Sequence, residues 1–120
     1  MPDHHRVLRR FCNVYHGFVR SPDGTFATFE VQGAGTGSQQ GTQARSINST
    51  GTVTGSFIDS VGANHGFVRA ANGGITTFDA LGAGTGAGQG TYVRGINSGG
   101  LITGYDVDSS NVNHGFIRTP

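Results

Sequence analysis

Lysine and tryptophan are absent from the 120 residues, and cysteine occurs once, as Cys12. A lone cysteine excludes an intrachain disulfide. Charge is scarce as well. Charged residues make up 12% of the chain, against about 25% in an ordinary domain, so it does not resemble a charge-rich disordered segment. All eight basic residues are arginine, and the formal net charge is +1. That balance exerts no general pull on nucleic acid or an anionic membrane. No apolar run approaches the roughly 20 residues of a transmembrane helix. Met1–Arg10 carries positive charge with no apolar stretch behind it, which is not the pattern of a secretion signal. The chain is therefore expected to be either cytoplasmic or a piece of a longer secreted protein. Apolar residues, at 34%, are few for a self-sufficient core.

Glycine is abundant, 22 of the 120 residues, against a usual share of about 7%. Low charge with many β-branched and aromatic residues points to short strands joined by tight turns, in one small domain at most. The dominant signal is an internal repeat. His-Gly-Phe begins at His16, His65 and His114, a period of 49 residues both times, and units 16–64 and 65–113 share 26 of 49 residues. The third unit, 114–120, is partial. Residues 1–15 do not follow the pattern and form a degenerate lead-in.

Within each unit the chain alternates strand and turn signals. Expected strands are His16–Arg20, Thr25–Val31, Gln43–Asn48 and Thr52–Asp59, then His65–Arg69, Ile75–Asp79, Tyr92–Asn97 and Leu101–Asp108. Ser21-Pro-Asp-Gly24, Asn72-Gly-Gly74 and Ser98-Gly-Gly100 mark turns. Residues 32–42, glycine-rich and without periodicity, are expected to form a long connector. Four antiparallel strands per tandem unit is the pattern of a β-propeller blade, so the expected class is all-β. Gln43–Asn48 and Tyr92–Asn97 are placed innermost, at the central channel.

His-Gly-Phe-Val-Arg, then Gly73-Gly-Ile-Thr-Thr-Phe-Asp79, then Gly95-Ile-Asn-Ser-Gly-Gly-Leu-Ile-Thr-Gly104, resembles the HAF-repeat family of bacterial extracellular-repeat proteins. The resemblance covers residues 16–120. The family usually has alanine where Gly17, Gly66 and Gly115 stand here. The resemblance implies a β-propeller or a similar β-repeat and an extracellular parent, and little about activity.

Two units and a fraction do not close a ring of about four to eight blades. The expectation is closure by homo-oligomerisation, as a dimer or trimer, with Thr25–Val31 as a spare outer strand for a hybrid blade; the rival is a fragment of a larger single-chain propeller. Repeating residues are explained first by architecture. His16, His65 and His114 are expected to fix turns by bonding nearby backbone, with a metal or general-base role requiring them to converge. Phe18, Phe67 and Phe116 are expected in the core. Arg45 and Arg94, equivalent on the inner strands, either pair with Asp59 or Asp108 or gather as an anion site. Tyr92, Tyr105 and Asp106 replace Gln43, Ser56 and Phe57 of the first unit, so they are candidate ligand contacts beside the arginines. Asn48 and Asn97 are expected to form turns. His4, His5, Cys12 and His16 match no standard zinc spacing, so no metal or other cofactor is expected. Three functions stand open: a self-assembling module binding a small polar or anionic ligand, such as a glycan; a small oligomeric hydrolase of an ester, lactone or glycoside; and a purely structural fragment.

Overall fold

A computed structural model describes residues 13–120. The degenerate lead-in up to residue 12, with His4, His5 and Cys12, lies outside the described residues. Nine strands are formed: β1 (Gly17–Arg20), β2 (Phe26–Phe29), β3 (Gly41–Ile47), β4 (Val53–Ile58), β5 (Asn64–Arg69), β6 (Ile75–Phe78), β7 (Gly90–Ile96), β8 (Ile102–Val107) and β9 (Asn113–Arg118). No described residue is helical. The fold is all-β, and every expected strand is present.

The pairing is that of a meander. β3, β4, β5 and β6 pair antiparallel in sequence order. β7, β8 and β9 repeat the first three of these. β1 and β2 pair as the third and fourth strands would. Among the described residues no sheet closes on itself, and the strands extend over 55 × 45 × 18 Å.

Successive units are joined by one device used twice. Tyr15 bridges Gly41 and Asn64 bridges Gly90, each in parallel. Gly41 and Gly90 sit at φ of 116° and 113°, a region open to glycine and strained for other residues. A Cβ there would also lie 2.1 Å from the Tyr15 carbonyl oxygen and 2.0 Å from that of Asn64. The inner strands therefore start two residues earlier than expected, because the last loop glycine already pairs.

The glycine-rich connectors are pinned to neighbouring strands. Gly35 N–H donates to the Ile58 carbonyl and Gly84 N–H to that of Val107, both at 2.8 Å. Gln40 Oε1 accepts from Gly37 N–H at 2.9 Å and Gln89 Oε1 from Gly86 N–H at 3.0 Å. Each loop thus borrows hydrogen bonds from a neighbouring strand and from its own glutamine.

The core lies between units. Val31, Val53, Phe57 and Phe67 are buried together, flanked by Val19, Phe29, Ala34 and Ile75. Phe67 is fully buried. Phe18 is not core: it is 57% exposed and touches only the margin of the arc, tilted against Phe26 at 5.6 Å. Phe116 is half-buried beside Phe78. The three equivalent phenylalanines differ because each depends on the unit packed against it.

Candidate functional site

The inner strands carry a bulge at the same point. On β3 the register steps from Ala44 to Ser46, and on β7 from Val93 to Gly95. Arg45 and Arg94 are the extra residues. A bulge re-aims its side chain out of the ladder's alternation. Close approach there requires glycine on the partner strand: a Cβ on Gly55 would lie 2.0 Å from the Gln43 carbonyl oxygen, and one on Gly104 2.1 Å from that of Tyr92. The Arg-plus-facing-Gly pattern is thus one structural feature, visible in the sequence as Arg45 with Gly55 and Arg94 with Gly104.

Both arginines are exposed. Neither pairs with Asp59 or Asp108, as the structural reading of the sequence expected; those carboxylates are taken by His65 and His114. Arg45 reaches Gln43 Oε1 at 3.5 Å, a weak contact. Arg94 lies over the Tyr105 ring, its Cζ 5.4 Å from the centroid. Such a cation–π contact leaves the guanidinium N–H groups open to an acceptor. The two inner strands are adjacent: Ile96 N–H donates to Ser46 Oγ at 3.4 Å and Asn48 Nδ2 to the Asn97 carbonyl at 3.1 Å.

Tyr92 and Tyr105 face each other across β7 and β8, their rings parallel within 6° and 4.9 Å apart. The Tyr92 hydroxyl donates to the Gly88 carbonyl at 2.7 Å and accepts from Asn64 Nδ2 at 3.1 Å. Burial, followed by the nearby Tyr105, pushes the Tyr92 hydroxyl's pKa up. Tyr92 thus acts as a spacer holding Tyr105 beneath Arg94, with its own polar end committed.

Asp106 does not join this cluster. It is 2% exposed, on the opposite face of β8 from Tyr105, and its Oδ1 has no hydrogen-bond partner among the described residues. It lines a cleft of about 820 Å³ between the Phe78–Gly82 segment and β9, with Asp108, His114 and Arg118. The cleft lies where Asp106 stands in place of the larger Phe57.

The histidines form a different constellation, in which each bonds carboxylates and not backbone as expected. His65 donates from Nε2 to Asp59 at 2.7 Å and from Nδ1 to Asp79 at 2.6 Å. Its ring also stacks on Phe57 at 4.9 Å. His114 Nε2 bonds Asp108 at 2.8 Å, and His16 Nδ1 bonds Glu30. Asp59 Oδ1 accepts from the N–H groups of Val61 and Ala63, both at 3.0 Å, and Asp108 Oδ1 does the same for Ser110 and Val112. Burial lowers the His65 pKa, but the bonds and charges of Asp59 and Asp79 outweigh it and raise it overall. Burial likewise raises Asp59, and its bonds from His65, Ala63 and Val61 bring it below the ordinary range. His114 is raised, chiefly by its bond to Asp108, while the Val112 N–H and His114 hold Asp108 low. The His65 clamp ties a hairpin turn to the outer strand, whereas His114 holds the turn at Asp108 and His16 holds Glu30 after β2. They stand on separate units and do not converge.

Asn48 and Asn97 fill the turn role expected of them. Asn48 Oδ1 accepts from the N–H groups of Thr50 and Thr52, and Asn97 Oδ1 from those of Gly99 and Leu101. The sequence reasoning missed the carboxylate–histidine clamp, although its signal was present: an acid six residues before His65 and His114, and fourteen residues after His16 and His65.

No protein-family model matches the chain, and no curated protein or solved structure matches it either.

Proposed function

We propose that the chain is an arc of a β-propeller, akin to HAF-repeat proteins, whose inner strands present arginines to a small anionic ligand such as an acidic sugar. The observation that carries this reading is Arg45. The next unit is already packed beside it, yet among the described residues it stays exposed at a bulge with only a weak contact to Gln43. A guanidinium kept out of ion pairs at a conformationally specified position is suited to grip a carboxylate or phosphate in two-pronged fashion. Arg94, over the Tyr105 ring, repeats the placement with an aromatic floor that suits a sugar ring. Completing the ring with further blades would multiply the same arginine around the channel.

The test is calorimetric titration with galacturonate and with inorganic phosphate, on the wild type and on Arg45→Ala and Arg94→Ala. Each replacement is expected to weaken binding about tenfold, the equivalent of about 1.4 kcal/mol. Light scattering and circular dichroism should remain unchanged. A loss of fold or assembly on either replacement, with no anion binding by the wild type, would assign the arginines to structure.

A further inference from the structure

The seam between the two units sets equivalent residues side by side. Asn48 Nδ2 donates to the Asn97 carbonyl at 3.1 Å, and these asparagines are one period of 49 residues apart. Ile96 N–H donates to Ser46 Oγ at 3.4 Å. β3 and β7 therefore run level and in the same direction, so Arg45 stands at the same height on its strand as Arg94 on the next.

A buried hydroxyl fixes the spacing between them. Ser56 on β4 is 3% exposed. Its Oγ donates to the Thr91 carbonyl at 3.2 Å and accepts from Val93 N–H at 3.0 Å. Val93 directly precedes Arg94, and Ser56 directly follows Gly55, the glycine that admits the bulge at Arg45. One side chain thus couples the two bulges. Arg45 is exposed with β7 already alongside, so packing of a neighbouring unit does not cover this position.

Each guanidinium keeps to its own unit. Arg45 leans to Gln43 Oε1, and Gln43 faces Ser56 across the ladder. Arg94 lies over Tyr105, which faces Tyr92. The arginines are therefore two level grips a fixed step apart and not one converging clamp. Their surroundings differ: an amide oxygen beside the first, and a pair of stacked rings beside the second.

We propose that one linear acidic oligosaccharide spans Arg45 and Arg94, with carboxylates of two different sugar residues, one on each guanidinium. This rests on the anion-binding reading and deepens it, from a single charged sugar to a chain of them. Sugar hydroxyls can donate to Gln43 Oε1, and the apolar faces of sugar rings suit the tyrosines. A polyphosphate has neither a donor nor an apolar face to offer. Joining two weak contacts in one ligand makes the second contact intramolecular, which raises affinity without any new interaction.

The test is calorimetric titration of the full chain with galacturonate and with trigalacturonate. The trimer is expected to bind one per chain and at least about tenfold tighter than the monomer, whereas three carboxylates meeting independent sites would gain only about threefold by counting. Arg45→Ala and Arg94→Ala should each abolish the excess gain while leaving monomer binding at the other arginine. Amide chemical shifts on trimer binding should appear at both 43–48 and 92–97. A trimer gain of threefold or less, with galacturonate still bound, would overturn the spanning ligand and leave the anion-binding reading intact. Failure of both sugars to bind would overturn the two together. An equal gain with tripolyphosphate would show that charge alone is read, and would overturn the oligosaccharide. Circular dichroism checks each variant, and if one unfolds, the wild-type comparison of monomer with trimer still decides.

Discussion

His65 and Asp59 are joined through Nε2 and Oδ2 at 2.7 Å, and the opposite ring nitrogen of the same histidine holds Asp79. One imidazole thus links the turn after β4 to the end of β6. Removing it leaves two carboxylates without a cation and takes a stacked ring from Phe57. His65→Ala is expected to destabilise the fold by about 2 kcal/mol, the range of hydrogen bonds to charged groups. Urea unfolding measures this. A change indistinguishable from that of an exposed surface substitution would mean the clamp contributes nothing.

The same clamp sets a pH window. His65 has its pKa raised above the ordinary 6.5, so its contribution is complete below 6.5 and is lost as pH rises through the raised value. Asp59 has its pKa lowered from the ordinary 3.8, so its contribution is complete above 3.8 and is lost as pH falls through the lowered value. Stability should therefore peak between about pH 4 and about pH 6.5 and decline on either side. Melting temperatures across that range test it, and His65→Gln should flatten the alkaline limb. An alkaline limb equally steep in His65→Gln would remove His65 as its source.

Equivalent phenylalanines should not cost the same. Phe67→Ala opens a cavity in the fully buried centre and is expected to cost about 3–5 kcal/mol. Phe18→Ala, at the exposed margin, should cost less than about 1 kcal/mol. Similar losses at both positions would show that β1 is covered in solution by something outside residues 13–120.

Equivalent glycines should diverge likewise. Gly66→Ala drives a methyl group into the Phe78 ring and is expected to cost about 1–3 kcal/mol by overpacking. Gly115→Ala meets open space and should stay within about 0.5 kcal/mol of wild type. Thermal unfolding of the two variants side by side decides it, and a large loss at Gly115 would mean that this space is already occupied.

Asp106→Phe restores the residue that the first unit has at Phe57. It removes a buried carboxylate oxygen without a partner among the described residues and fills part of the cleft beside it. A gain of about 1–3 kcal/mol is expected, the usual penalty of an unsatisfied buried polar group. A loss instead would show that Asp106 is compensated in solution, by water or by a bound donor.

Much of the strand layout was legible because its causes are local. Asn48 and Asn97 make their turns with their own backbone, and the aromatic and β-branched residues of Thr-Phe-Ala-Thr-Phe need only a sheet to lie on. The candidate site was legible only in part. Arg45 and Arg94 could be equated by the period, but their release from Asp59 and Asp108 depended on two histidines reaching those carboxylates first. Tyr105 and Asp106 are neighbours in sequence and were grouped together, yet a strand sends adjacent side chains to opposite faces. One therefore lies beside Arg94 and the other in the cleft.

The amino-acid order alone determined the period, the strands, the turns and the glycines that let backbones touch, since each follows from a residue's own geometry and near neighbours. The tertiary structure decided which copy of each repeated residue is buried, paired or left open. That outcome rests on the unit lying alongside, which is why Phe67 is sealed and Phe18 is exposed.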